Sequence, residues 1–155
     1  MKKLTPFLWF DDDLEEAMAF YTSVFNDSEI VDVSRAGDAP TDPVFSATFR
    51  IAGQEFLAIN GGPLFPFTEA FSLFVDCDDQ AEVDRLWELL TDGGEPSRCG
   101  WLKDRFGLSW QIIPRRLMEL LGDPDPARAA RAREAMLGMG KIDVAALEAA
   151  ATGPV

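Results

Sequence analysis

The chain begins with an alternation of apolar side chains that gives way to a helical repeat. In segment 4–10, Phe7 and Trp9 fall on one face of an extended chain and other apolar residues fall on the opposite face, which predicts a strand covered on both sides. Apolar residues recur at helical spacing over segment 14–25. Aspartates 11–13 between them suit a helix N-terminus, so we interpret them as capping residues and not as a Mg²⁺ site.

Three further strands are predicted before residue 61. The patterns at Glu29–Val33, Val44–Ile51 and Gln54–Asn60 are typical of strands, and Ala52-Gly53 predicts a hairpin between the last two. The connector 61–67 contains two Phe and two Pro residues. It is either a lid over a pocket or an apolar crossing.

The second half of the chain repeats this order. Ala70–Val75 is a predicted strand, Asp78 and Asp79 cap a helix that runs to about Leu90, and three more strands are predicted. Those strands are expected at 95–98, 100–103 and 108–113. The helix starts lie roughly 66 residues apart, so two strand-helix-strand-strand-strand modules form an internal repeat.

Helical patterns follow Pro114. A short helix is predicted at 117–121, a second begins at Asp-Pro-Asp-Pro126 and runs to Met139, and an amphipathic turn or two follows at 142–147. The alanine- and methionine-rich face of this tail is expected to pack on the chain's own core or on a partner subunit.

Segment 99–114 is the most distinctive part of the sequence. Two short strands meet there across the turn 104–107, in which Gly107 is suited to a positive φ. Ser109, Gln111 and Ile113 share one face of the second strand. A polar Gln111 in an otherwise apolar strand needs a hydrogen-bond partner or a cavity, so its face is the first place to look for a site.

The composition of the chain excludes several classes of function. The chain has 155 residues, which suits one compact globular domain, and its net charge of −13 disfavours nucleic-acid or anionic-membrane partners. It has no histidine, so triads and zinc motifs built on histidine are excluded. Two cysteines make no disulfide framework, and no segment resembles a signal peptide or a membrane span. A cytoplasmic protein is expected.

Several segments together resemble the PhnB-like branch of the vicinal oxygen chelate superfamily, which includes glyoxalase I, bleomycin-resistance proteins and extradiol dioxygenases. The resemblance rests on Leu4–Phe10, Ala19–Tyr21, Phe74–Asp78, Cys99–Asp104, Gly107–Pro114 and the Asp-Pro-Asp-Pro helix, and is expected to include the helical tail. Members are often labelled demethylubiquinone methyltransferase-like, although this chain has no strand-linked glycine-rich loop of the S-adenosylmethionine-binding kind.

The resemblance implies an α+β fold. Two βαβββ modules, residues 1–66 and 67–114, would form curved mixed sheets around a cavity, as in the glyoxalase/bleomycin resistance/dioxygenase fold. C-terminal helices would follow at 115–155, and the usual assembly would be a homodimer. In metal-dependent relatives, His and Glu on the first and fourth strands of each module hold a divalent ion. Those positions fall here on Phe7, Ala58 or Asn60, Ser72 and Gln111. None of these suits a transition metal, so neither a metal nor another cofactor is expected.

The expected cavity is lined by aromatic and neutral polar side chains, suited to binding a small aromatic or apolar molecule. They are Phe7, Trp9, Asn60, Ser72, Trp101 and Gln111. The alternative is that the rings fill the cavity as core.

A second functional hypothesis is a metal-independent isomerase, lyase or transferase. It would use Cys99, a weak candidate nucleophile because no histidine can activate it, or a carboxylate near the cavity mouth. The candidate carboxylates are Glu55, Glu69, Asp76 and Asp104.

Overall fold

A computed structural model of the chain describes residues 2–154 and divides it into two compact units between Phe67 and Thr68. The first unit contains one helix and four strands: β1 (Phe7–Phe10), α1 (Leu14–Val24), β2 (Glu29–Arg35), β3 (Val44–Ile51) and β4 (Gln54–Asn60). The strands form one sheet in the order β1-β4-β3-β2. β1 pairs with β4 in parallel, and the other pairs are antiparallel.

Helix α1 packs its apolar face on one side of this sheet. Leu14, Ala17, Met18 and Tyr21 are fully buried, as are Phe49 and Phe56, whose rings stack 5.5 Å apart on neighbouring strands. The predicted hairpin is confirmed: Ala52 and Gly53 both have positive φ between β3 and β4, which suits a tight two-residue turn.

The expected capping of α1 by its aspartates is only partly right. Asp13 is the N-cap residue, but its side chain makes no capping hydrogen bond. The Leu14 backbone N–H instead donates to the Asn60 side-chain oxygen at the end of β4, at 3.0 Å. Burial raises the pKa of the Asp13 carboxyl above its ordinary value, and its own backbone hydrogen bond opposes that shift.

The second unit repeats the topology of the first. It contains β5 (Ser72–Cys77), α2 (Gln80–Thr91), β6 (Glu95–Pro96), β7 (Trp101–Lys103) and β8 (Ser109–Pro114), with strand order β5-β8-β7-β6. The pair β5/β8 is parallel, as β1/β4 is in the first unit. The predicted repeat, the α+β class and the two modules are therefore confirmed.

Three helices complete the second unit: α3 (Arg115–Leu121), α4 (Pro126–Leu137) and α5 (Val144–Thr152). They share one apolar cluster with the end of β8. Its buried members are Ile113, Leu117, Leu120, Ala132, Ile142, Leu147 and Ala151. The tail therefore packs on its own module through this cluster.

The α4–α5 connector is fastened to two other parts of the second unit. The N–H groups of Cys99 and Gly100 donate to the carbonyls of Met139 and Gly140, both at 2.8 Å. On the other side, the Gln80 side chain donates to the Ile142 carbonyl at 2.9 Å and accepts from the Val144 N–H at 2.7 Å. We call residues 139–144, which are the end of this connector and the first residue of α5, the strap.

The predicted strand bounds differ from the structure by a few residues. β1 begins at Phe7 rather than Leu4, and β6 covers only Glu95–Pro96 because the chain turns at Ser97, whose N–H donates to the Trp101 carbonyl. Within residues 2–154, no helix is both long and apolar enough to cross a membrane.

Candidate functional site

The predicted site residues of the first unit lie on two different faces of its sheet. Phe7 is 56% exposed, and Trp9 shares its face by strand alternation. The Trp9 indole N–H donates to the Gly62 carbonyl at 2.9 Å, and the Phe65 ring meets the indole edge-on at 5.0 Å. The connector therefore packs on Trp9 and accepts the hydrogen bond of its indole N–H.

Asn60 lies on the opposite face from Phe7 and Trp9. It is the β4 partner of Phe10 in the parallel register, on the side of the sheet that carries α1. Its oxygen accepts from the Leu14 N–H, and its amide nitrogen donates to the Val44 carbonyl at 2.9 Å. Asn60 thus holds the start of α1, and the structure does not bring it together with the two aromatic rings.

The predicted site residues of the second unit do lie together. Trp101 is the cross-strand partner of Gln111, and Ser72 is the partner of Ser109, two residues from Gln111. The Gln111 side-chain N–H donates to the Ser72 hydroxyl at 3.0 Å. Gln111 therefore has the partner that its position required, and the two polar groups satisfy each other.

A cavity of about 410 Å³ is lined by residues of the second unit; of the predicted site residues there, Trp101 lines it, whereas Ser72 and Gln111 do not. The hairpin β6–β7 forms one wall, and β8 contributes Ser109. The lining residues are Glu69, Glu95, Pro96, Ser97, Trp101, Leu102, Lys103 and Ser109. This volume is within the range of small-molecule sites.

Ser109 is the most unusual residue of the cavity. It is 0% exposed, and its side-chain oxygen has no hydrogen-bond partner among residues 2–154. Burying a hydroxyl without a partner costs about 1–3 kcal/mol, so native proteins rarely tolerate one without a reason. Ser109 lines the cavity, but its oxygen is shielded from solvent, so a bound molecule supplies the missing partner only after a small shift of the cavity wall.

The charges around the cavity are unequal. The Lys103 ammonium forms an ion pair with Glu69, which lowers the pKa of the Glu69 carboxyl and raises that of Lys103, in each case chiefly through the hydrogen bond between them. Glu95 is the cross-strand partner of Lys103, and its charge also raises the pKa of the Lys103 ammonium. Glu95 itself forms no ion pair within residues 2–154. The lining therefore carries one more carboxylate than ammonium.

Other carboxylates considered for catalysis have structural partners. Asp104 is 3% exposed; it accepts from the N–H groups of Phe106 and Leu108, at 2.9 and 3.1 Å, and from the Trp110 indole at 2.9 Å. Asp76 pairs with Arg115 at 3.2 Å. Glu55 lies in the first unit, opposite Arg50 across β3 and β4. Of these acids only Glu69 lines the cavity, and it is paired.

The two cysteines have different environments. Cys77 is fully buried, and burial raises the pKa of its thiol from 9.0 to about 12. Cys99 is half-buried in the β6–β7 turn, with a φ of 58° and its N–H bonded to the strap. Cys99 is not among the residues that line the cavity.

The positions that would hold a metal in this fold do not fit one. Phe7 offers no donor atom, and the Ser72 oxygen already accepts from Gln111. Within residues 2–154, no three His, Cys, Asp or Glu side chains are grouped so as to hold a metal ion. The donors present are neutral, and such donors hold a transition metal poorly.

Sequence reasoning identified Trp101 and Glu69 but missed the other lining residues of this cavity, among them Glu95, Lys103 and Ser109. Ser109 had a visible signal, because alternation places it on the face of Gln111, but its burial depends on neighbouring strands. No sequence signal pointed to Lys103, because only the fold places it beside Glu69.

Comparisons with known proteins agree with the fold. The family model described as 3-demethylubiquinone-9 3-methyltransferase matches residues 2–113. A solved structure from Bacillus cereus, described as a putative 3-demethylubiquinone-9 3-methyltransferase, PhnB protein, is 39% identical, with a TM-score of 0.66. The match covers 73% of this chain and 99% of that chain.

Two more distant structures share the fold. Protein PA1353 from Pseudomonas aeruginosa is 22% identical over 74% of this chain and 98% of that chain, with a TM-score of 0.62. The fosfomycin resistance protein FosX from Listeria monocytogenes is 22% identical over 70% of this chain and 87% of that chain, with a TM-score of 0.51. No curated protein matches significantly.

The helical tail falls outside the family match. The matched residues end at 113, one residue before the end of β8, whereas the resemblance was expected to include the tail. The match does not support that expectation, since apolar periodicity and an Asp-Pro start are general helix signals that any appended helix can carry.

Proposed function

This chain belongs to the PhnB-like family of the vicinal oxygen chelate superfamily, and we propose that it binds a small aromatic or apolar molecule in the cavity of its second unit. The observation that carries the proposal is the buried Ser109 hydroxyl without a partner at the wall of that cavity. Trp101 supplies an aromatic surface for the ligand, and Ser109 supplies one directional hydrogen bond. The ligand compensates the free energy that the buried hydroxyl costs in its absence.

Binding is favoured over catalysis because the cavity contains no acid–base pair ready for proton transfer. A general base works best with a pKa near the operating pH, whereas Lys103 lowers the pKa of Glu69. We do not propose methyl transfer for this chain, because its sequence has no glycine-rich loop of the kind that holds S-adenosylmethionine.

We also expect the chain to act as a homodimer in the cytoplasm. Large apolar side chains are exposed on both units, among them Phe7 at 56%, Phe45 at 56% and Phe74 at 48%. Apolar groups of this size are often covered by a second subunit. Sedimentation velocity of the purified chain tests this expectation, and a single species of 17.1 kDa would contradict it.

Native mass spectrometry of the untagged protein tests the proposed function directly. We expect a non-covalent organic adduct that is released on denaturation. Replacing Trp101→Leu should abolish the adduct, because the aromatic wall is lost. The Trp87→Leu variant is the matched control, because it makes the same substitution on α2, at a residue that does not line the cavity.

A complementary measurement does not depend on a ligand retained during purification. A calorimetric titration with 2-phenylethanol should show binding to the wild-type protein and to the Trp87→Leu variant. Binding to the Trp101→Leu variant should be at least about tenfold weaker. Absence of both an adduct and any probe binding, or equal effects of the two tryptophan variants, would refute the proposed cavity.

A further inference from the structure

The charged groups that line the cavity bear on the charge of the ligand that it would accept. Two carboxylates and one ammonium line the cavity, from Glu69, Glu95 and Lys103. The ammonium is already engaged, because Lys103 and Glu69 form a hydrogen-bonded ion pair. A carboxylate or phosphate on a ligand would therefore find no available cation in the lining, and would meet the charge of Glu95.

Glu95, which is exposed, and Ser109, which is buried, are the lining groups that a ligand can complement. Glu95 forms no ion pair among residues 2–154, and it faces Lys103 across β6 and β7. Ser109 also faces Lys103, from the opposite side in the β7–β8 register. The hydroxyl of Ser109 can accept a hydrogen bond from an N–H group, and a carboxylate accepts one more strongly when the donor is charged.

Trp101 adds the third element of an ammonium site. It lies two residues before Lys103 on β7, on the same face of the strand, and it lines the same cavity. A cation held near the face of a tryptophan ring is attracted by the ring's quadrupole, and the attraction grows as water is excluded.

We propose that the ligand of this cavity is an aromatic amine that carries one positive charge, recognised by Glu95, Ser109 and Trp101. The proposal rests on the proposed function and adds the charge class of the ligand to it. One positive charge balances the one carboxylate by which the acids of the lining outnumber its ammonium. The N–H groups of the amine supply the partner that the Ser109 oxygen lacks. The net charge of −13 on the whole chain favours approach of the same class of molecule.

Calorimetry with three matched probes tests the proposal on the full chain. Phenethylamine, 2-phenylethanol and phenylacetate have the same ring and differ in charge at pH 7. We expect phenethylamine to bind about tenfold more tightly than 2-phenylethanol, because its hydrogen bonds are charge-assisted, and phenylacetate to bind most weakly. Added salt should reduce the preference for the amine.

Glu95→Gln should bring the affinity for phenethylamine down to that for 2-phenylethanol and leave the alcohol unchanged. Glu134→Gln, an exposed glutamate of α4, makes the same change in net charge outside the cavity lining and should have no effect. Equal affinities for amine and alcohol, tight binding of phenylacetate, or an amine preference that survives Glu95→Gln would overturn the inference while leaving the cavity as a binding site. If none of the three probes binds, the proposed function fails, and this inference fails with it.

Discussion

Replacing Gln80→Ala should release the strap from helix α2. The Gln80 side chain joins three groups of the second unit: it donates to the Ile142 carbonyl at 2.9 Å and to Asp84 at 2.9 Å, and it accepts from the Val144 N–H at 2.7 Å. Alanine at the first position of α2 favours the helix, so a loss of stability would come from the missing hydrogen bonds.

The expected cost follows from the two backbone groups that lose their partner. Each hydrogen bond contributes about 1 kcal/mol net in a partly buried setting, where water can replace part of the interaction, so the free energy of unfolding should fall by about 2 kcal/mol. The same change should accelerate hydrogen exchange in α5 roughly 30-fold, provided α5 opens when the strap detaches.

Urea denaturation and hydrogen exchange measured by mass spectrometry are the two assays. Gln54→Ala is the matched control, because its side chain bonds only the carbonyl of the next residue, Glu55, among the hydrogen bonds described for it. That variant should stay within about 0.5 kcal/mol of the wild type. If Gln80→Ala behaves like Gln54→Ala in both assays, the strap is held by other contacts, such as the Ile142 side chain packed against Gly100.

Two further predictions concern the cysteines. A thiol reagent should modify only Cys99 in the native protein, because Cys77 is fully buried, and both cysteines in urea. Modification of the folded Cys99→Ala variant would contradict this prediction. Burial raises the pKa of Cys77 from 9.0 to about 12, so the folded state keeps this proton while the unfolded state releases it above about pH 9. The stability of the wild type relative to Cys77→Ala should therefore fall between pH 9 and 12 by about 1.4 kcal/mol per pH unit, as measured by urea denaturation, and a constant difference would refute it.

Local sequence patterns were sufficient for the elements and their order. Strand and helix periodicities involve residues within a few positions of one another, so they predicted each module, and the matching spacing of α1 and α2 predicted the repeat. Alternation along β8 also placed Ser109 and Gln111 on one face, and the missing histidines excluded a whole class of site chemistry.

Asn60 shows what alternation within one strand leaves open. The sequence shows that Ala58 and Asn60 share a face of β4, but only the parallel register with β1 decides that this face carries Phe10 and not Phe7. Shifting that register by one residue would turn the side chain to the other face. Once Asn60 lies beneath α1, the unpaired Leu14 N–H takes its oxygen, and a predicted ligand contact becomes a helix cap.

Residue type and local spacing were enough to predict the order of helices and strands, the repeated modules and the acidic, histidine-free character of the chain. Which polar groups satisfy one another depends on the tertiary structure. It paired Gln111 with Ser72 and Lys103 with Glu69, and it left the buried Ser109 oxygen without a partner. Such pairings join residues far apart in the chain, so they depend on strand register and packing, which no local pattern encodes.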